Sequence, residues 1–234
     1  MIIGGGDPAT DKVSIADLSV ANPTYANAPN LNHARMHLMA VILPDRTVFV
    51  SGGSGIAEQP MTAVLESEIY NPPTNTWEIG AKASVPRMYH ASALLLPDGR
   101  VITAGSNPNR KDDELRLELY HPPYLFKGPR PIISNLTQNS NINLNLHCGA
   151  KFEIESPQAM DIKWVHLIKP MATTHSWDSS QRLINIPFSC EEVCHLHACT
   201  PENNNLVPPG WYMLFIVNNQ DIPSVAKWVH LEVC

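Results

Sequence analysis

Apolar and polar residues alternate in short runs along this chain, and long helical periodicity is absent. The first half carries such runs at Met39 to Leu43, Thr47 to Ser51 and Val64 to Tyr70. They recur at Ala91 to Leu96, Arg100 to Ala104 and Leu115 to Tyr120. Gly, Pro, Asn and Asp bound them, and these are the residues that turn a chain. With 21 Pro and 12 Gly spread throughout, the pattern predicts an all-β protein.

The runs of the first half repeat. Leu43-Pro44-Asp45-Arg46-Thr47-Val48-Phe49-Val50-Ser51-Gly52-Gly53 is echoed by Leu96-Pro97-Asp98-Gly99-Arg100-Val101-Ile102-Thr103-Ala104-Gly105-Ser106. Glu68-Ile69-Tyr70-Asn71-Pro72-Pro73 is echoed by Glu118-Leu119-Tyr120-His121-Pro122-Pro123. His37 aligns with His90, and Met36 falls in the slot of Tyr89. A period of about 50 residues with a strand that ends in Gly-Gly is the kelch signature of a β-propeller. Each copy reads as four strands, the fourth carrying Thr76-Trp77-Glu78 in the first copy, and Trp77, Tyr70 and Tyr120 read as packing between blades. Met1-Ile2-Ile3-Gly4-Gly5 reads as the end of a third, incomplete copy. Two blades and a remnant cannot close a ring of about 4–8 blades. Residues 1–127 are therefore expected to form a partial kelch β-propeller whose end blades want a partner.

Gly128-Pro129-Arg130-Pro131 breaks the repeat. Strands are then predicted at Ile132–Ile133, Lys151 to Ile154, Ile162 to Ile168, Leu183 to Pro187, Val193 to Ala198, Gly210 to Asn218 and Ala226 to Val233. Short strands separated by turn residues over residues 128–234 fit an immunoglobulin-like β-sandwich.

Composition narrows the function. Apolar residues make up 44%, enough for a sizeable core, and charged residues only 16%, with a net charge of −6. There is no Lys/Arg run, which argues against a nucleic-acid surface. No apolar stretch approaches the roughly 20 residues of a membrane span. The Met1–Gly6 stretch lacks the basic start and apolar core of a signal peptide, and it opens as if inside a strand. That opening predicts a truncated or excised piece. All five cysteines, Cys148, Cys190, Cys194, Cys199 and Cys234, lie in the second half. Their odd number leaves the redox compartment open.

Three places carry candidate chemistry. Tyr89 and His90 are neighbours at the entrance of the strand that begins near Ala91. Neighbouring side chains inside a strand face opposite ways, so the pair can share a ligand only before the pleat is set. Met171 to Ser180 is long, polar and rich in small residues, a loop from which His175 could reach out of the sandwich. The Cys190–Cys199 stretch, with His195 and His197, is rich in donors but lacks the C-x₂-C spacing of common zinc sites. Zinc, a local disulfide and plain thiols all stay open there. Asn135-Leu136-Thr137 matches a glycosylation sequon. Arg87 and Arg182 read as ties between loops.

Three ordered motifs together resemble the C-terminal part of the galactose oxidase / glyoxal oxidase family of copper radical oxidases. They are Arg87-x-Tyr89-His90 before Leu94-Leu95-Leu96-Pro97-Asp98-Gly99-Arg100; Thr174-His175-Ser176 followed by Gln181-Arg182; and Pro209-Gly210-Trp211-Tyr212-Met213-Leu214-Phe215 leading to Ile222-Pro223-Ser224-Val225-Ala226. The resemblance implies a kelch propeller followed by an early-set immunoglobulin-like domain, with one copper on the propeller axis. It implies Tyr89 as the axial tyrosinate and base, and His90 and His175 as imidazole ligands. The reaction implied is oxidation of an alcohol or aldehyde by dioxygen, giving hydrogen peroxide.

The resemblance also implies a second tyrosine, cross-linked to a cysteine in an earlier blade. No Cys precedes Cys148 here, so that radical cofactor is not expected within this chain, and missing blades on another chain are an expected partner. The rival expectations are a non-catalytic β module that binds carbohydrate or protein, and a zinc-stapled domain. The family is generally secreted.

Overall fold

A computed structural model describes residues 1–107, 113–138 and 145–233, except the side chains of Glu191 and Glu192. Among them no helix is long and apolar enough to cross a membrane. The protein is all-β: a partial propeller of open sheets and a β-sandwich. Two compact units are present. The first comprises Met1–Leu94, Val101–Tyr120 and Thr173–Ser179; the second comprises Leu95–Arg100, His121–Ala172 and the chain from Ser180 onward.

Three antiparallel meanders make the first unit. β1 (Ile2–Ile3), β2 (Val13–Ala16) and β3 (Tyr25–Ala28) pair in order. β4 (Met39–Ile42), β5 (Val48–Ser51), β6 (Glu66–Asn71) and β7 (Thr76–Lys82) form a complete four-stranded blade. β8 (Ser92–Leu95), β9 (Val101–Ala104) and β10 (Glu118–Tyr120) form the third sheet. The incomplete first copy is larger than its sequence suggested, because β2 and β3 continue it. The last copy shows three strands among the described residues where four were expected.

The hairpin corners follow from side-chain chemistry. Asp45 accepts hydrogen bonds from the Thr47 amide at 3.2 Å and hydroxyl at 2.6 Å, and Asp98 accepts from the Arg100 amide at 3.0 Å. A short acidic side chain that bonds its own backbone two residues on stabilises such a turn. The residue between, Arg46 (φ 71°) or Gly99 (φ 83°), is left-handed. Aromatic side chains join neighbouring blades. Tyr120 stacks on Phe49 at 4.3 Å, and the Trp77 indole N–H donates to the Pro29 carbonyl at 2.9 Å. Tyr70 instead packs on Trp77 of its own sheet at 5.1 Å.

A buried guanidinium sits inside each of the two later sheets. Arg35, fully buried, donates to the carbonyls of Gly52 (3.1 Å) and Glu66 (2.9 Å) and to the Glu68 carboxylate (2.7 Å). Arg87, 1% exposed, donates to the carbonyls of Gly105 (2.8 Å) and Arg116 (2.6 Å) and to Glu118 (3.2 Å). The partners are the same in each copy. Glu68 also accepts from the Asn32 amide and side chain and the His33 amide, so its buried charge is well supplied with donors.

The second unit begins with β11 (Asn135–Thr137), β12 (Asn145–Leu146), β13 (Lys151–Glu155) and β14 (Ile162–Ile168). The chain then forms a hairpin that belongs to the first unit, β15 (Thr173–Thr174) and β16 (Trp177–Asp178). It returns as β17 (Leu183–Ile186), β18 (Phe188–Glu192), β19 (His195–Cys199), β20 (Gly210–Asn218) and β21 (Lys227–Leu231). One sheet has the order β11-β13-β19-β18, the other β12-β21-β20-β14-β17. Ile154 and Leu196 from the first, and Val165, Leu167, Leu214, Ile216 and Val229 from the second, fill the core. β14 and β20 lie where the apolar runs placed them. The strand expected at Ile132–Ile133 stands instead at Asn135–Thr137, where Leu136 alone turns into the core. The one expected at Val193 starts at His195, because Cys194 and Val193 form an exposed turn.

Cys148 is disulfide-bonded, and Cys194 and Cys199 are free thiols. The turn Leu95–Arg100 belongs to this unit because three groups hold it. Arg130 donates to the Asp98 carbonyl at 2.7 Å, Tyr124 donates its hydroxyl to the Gly99 carbonyl, and the Ala226 amide donates to the Pro97 carbonyl at 2.8 Å.

Replacing Glu68 with Ala would leave the Arg35 charge buried without its partner, at an expected cost of about 3–5 kcal/mol in chemical denaturation. Burial raises the pKa of Glu118, but the Ser84 hydrogen bonds and the Arg87 charge outweigh it and hold the carboxyl below its ordinary value of 4.5. Its contribution is therefore complete above pH 4.5 and fades as the pH falls through the lowered value. Thermal midpoints of the wild type and Glu118→Gln should converge below pH 4.5; a constant gap would exclude this linkage.

Candidate metal centre

Tyr89 and His90 stand in a turn immediately before β8, closed by the Ala91 amide donating to the Met88 carbonyl at 3.0 Å. His90 is left-handed, with φ 62°. This breaks the alternation of a strand, and the Tyr89 and His90 rings stack on one side at 3.8 Å between centroids. The turn is fixed from below. The Asn107 amide donates to the Tyr89 carbonyl at 2.8 Å, the Met88 amide donates to Ser106 Oγ at 3.0 Å, and Arg87 holds the Gly105 carbonyl.

His175 reaches the same place from β15 and β16. Thr173 pairs with Asp178 and Thr174 with Trp177, leaving His175 and Ser176 as a two-residue tip. Their φ angles, 50° and 60°, are both positive. That is the signature of the tight hairpin turn whose twist matches its strands, usually made by Asn-Gly. Two residues other than Gly and Asn occupy it here, at an energetic cost that only a fixed surrounding sustains. The Thr174 hydroxyl lies 2.7 Å from His175 Nδ1, which leaves Nε2 as the nitrogen open to a ligand.

The three rings converge. Tyr89 and His175 are 5.8 Å apart, and His90 and His175 5.1 Å, both edge to face. His90 and His175 are exposed and Tyr89 half-buried, so the cluster opens to solvent. His37, the repeat counterpart of His90, lies 5.3 Å from Tyr89.

Other sequence candidates do not form a site. Among the described residues no group of three or more His, Cys, Asp and Glu side chains is arranged to hold a metal. His195 instead pairs through Nδ1 with Glu153, His197 is exposed, and Cys194 faces solvent. Arg182 reaches the carbonyls of Ser180 and Leu206, both at 3.4 Å, a tie between loops. Asn135 lies exposed on β11, with its side-chain oxygen on the Leu136 amide at 3.0 Å.

Comparison with known proteins bears on these observations. Residues 8–124 match the family described as glyoxal oxidase N-terminus, and residues 130–231 that described as galactose oxidase-like, early set domain. The chain is 31% identical to aldehyde oxidase GLOX1 of Arabidopsis thaliana over 92% of its own length and 38% of that protein. It is 26% identical to galactose oxidase of Gibberella zeae, over 94% of its length and 32% of the relative. Among solved structures, a fungal alcohol oxidase of the AA5 family in complex with copper matches 98% of this chain with a TM-score of 0.87 at 25% identity, over 50% of its own chain. The chain thus spans about a third of these curated relatives.

A side chain at Gly105 tests how the turn is held. Its Cβ would lie 2.8 Å from the His90 carbonyl oxygen, and its φ is 73°. Gly105→Ala should therefore cost about 1–3 kcal/mol, read as a lower thermal midpoint, whereas Gly5→Ala, with nothing within 4 Å of its Cβ despite φ 93°, should cost less.

Proposed function

The chain belongs to the galactose oxidase / glyoxal oxidase family, and from that premise we propose that Tyr89, His90 and His175 hold a single copper ion in an alcohol- or aldehyde-oxidising centre. The observation that carries this reading is the convergence of one phenol and two imidazoles from two distant segments of sequence. The donor types fit the ion. Two imidazoles, a phenolate and an open position suit tetragonal Cu(II). Metal–nitrogen bonds of about 2 Å put ring centres a few ångströms from an ion, so separations of 5.1 and 5.8 Å are compatible with sharing one.

Bound copper would supply Lewis acidity and one-electron redox chemistry. The protein's part is positional. Thr174 engages His175 Nδ1 and so leaves Nε2 for an ion, and the Met88–Ala91 turn presents Tyr89 and His90 together. Tyr89, as its phenolate, is the base that takes the hydroxyl proton of a bound alcohol or aldehyde hydrate. Exposure of His90 and His175 leaves room for such a substrate.

Oxidation also needs a second one-electron partner, which in this family is a tyrosine cross-linked to a cysteine. With no cysteine before Cys148, we assign that pair to polypeptide other than these residues, in line with the third of its relatives that the chain spans. These residues alone are thus expected to bind copper without turning over.

Copper titration followed by electron paramagnetic resonance tests the reading. The wild type should give a mononuclear Cu(II) signal with nitrogen hyperfine structure. His90→Ala or His175→Ala should weaken binding by more than the 10–100-fold that loss of an outer partner costs. An unchanged signal and affinity in His175→Ala would exclude the centre.

A further inference from the structure

Asn135 belongs to no metal or catalytic group, yet its surroundings suit a residue that carries a modification. Asn135-Leu136-Thr137 forms β11, the end strand of its sheet. Alternation along the strand sends Leu136 into the core, 6% exposed, and puts Asn135 and Thr137 on the outer face. Asn135 is exposed there, and so is Glu155, the residue paired with it on β13. The amide is already oriented. Asn135 Oδ1 accepts from the Leu136 amide at 3.0 Å, while Nδ2 donates to nothing among the described residues. A group attached at Nδ2 therefore breaks no hydrogen bond and meets water. A second, independent observation concerns the compartment. Cys148 is disulfide-bonded, and such bonds form and persist in oxidising places, the secretory lumen among them.

We propose that Asn135 is an N-glycosylation site, its Nδ2 carrying a glycan that stands on the outer face of the sandwich at β11. The acceptor pattern is Asn-x-Ser/Thr with x other than Pro. The one other match to Asn-x-Ser/Thr in the chain, Asn22-Pro23-Thr24, has Pro in the middle, so a single glycan is expected. In the transfer, Nδ2 bonds the anomeric carbon of the first sugar as that carbon's bond to the diphosphate of a polyprenyl-linked oligosaccharide breaks. The polyprenyl diphosphate leaves, one amide proton is released, and nothing is oxidised or reduced. Thr137 carries no sugar; its hydroxyl, two residues on and on the same face, completes the pattern that the transferase reads. Transfer takes place in the secretory lumen, the kind of compartment in which the Cys148 disulfide is maintained. The site stands apart from the copper-centre reading, and neither depends on the other.

Glycopeptide mapping offers a test. The protein as its own organism makes it would be digested, treated with peptide-N-glycosidase in heavy-oxygen water and read by mass spectrometry, since the enzyme leaves a heavy-oxygen label only where a glycan stood. The expected result is a label at Asn135 and none at Asn22. In parallel, wild type, Asn135→Gln, Thr137→Ala and Thr137→Ser would be directed into the secretory pathway of yeast. Reading whole cells as well as medium keeps a poorly folding variant in view. Wild type should lose the mass of one glycan on enzyme treatment. Asn135→Gln and Thr137→Ala should be made without it, and Thr137→Ser should keep it, because the hydroxyl remains. An unlabelled Asn135 in the native protein, a glycan that persists in Asn135→Gln, or one lost equally in Thr137→Ser and Thr137→Ala would overturn the proposal.

Discussion

The interaction on which the first unit depends is the burial of an arginine against a glutamate within a blade. Arg35 and Glu68 are both fully buried, and Arg87 is nearly so against a partly exposed Glu118. Charges in such a place are tolerated when they are paired and well supplied with hydrogen bonds. Each guanidinium therefore also fastens the carbonyl of the Gly that ends the second strand, Gly52 or Gly105, and a carbonyl at the start of the third. Three chain segments meet at one cation. The residues that follow the arginine are thereby held in place, and they are the ones that reach the candidate centre.

The two copies differ by one residue at that point, and the difference has a chemical result. His37 stands two residues after Arg35, while His90 stands three after Arg87. Backbone bonds show where the extra residue lies. Met36 and Ser54 exchange amide–carbonyl bonds, and the corresponding Asn107 amide bonds the carbonyl of Tyr89. Tyr89 thus stands in the position of Met36, and Met88 is the addition. Met36 is 3% exposed and fills the interior of its blade; Met88, wholly buried, does so in the next. With the interior filled by its neighbour, Tyr89 is released to face His90.

The second segment of the centre has a different physical basis. His175 is carried on a two-residue hairpin tip whose backbone would favour Asn-Gly. A strained tip is the kind of place in which functional side chains are found, since the surrounding structure bears the cost of the local conformation. The Cys190–Cys199 stretch lacks this convergence. Its donors are spread over β18, an exposed turn and β19, and His195 is engaged by Glu153.

The sequence by itself determined the strands and their repeats. Period-two alternation, Pro-Asp corners and Gly-ended strands are local signals, and they located β4, β5, β8, β9, β14 and β20 to within a residue or so. The motif around Tyr89, His90 and His175 was legible as well, because short spacings identify residues. Short edge strands such as β3 and β12 were not, since they take their form from a neighbour. Only the tertiary structure decided that His37 joins Tyr89, that the Leu95–Arg100 turn belongs with the sandwich, and that the hairpin around His175 belongs with the blades. Such pairings connect residues distant in sequence and rest on packing and on buried hydrogen bonds, which no local pattern of residues encodes.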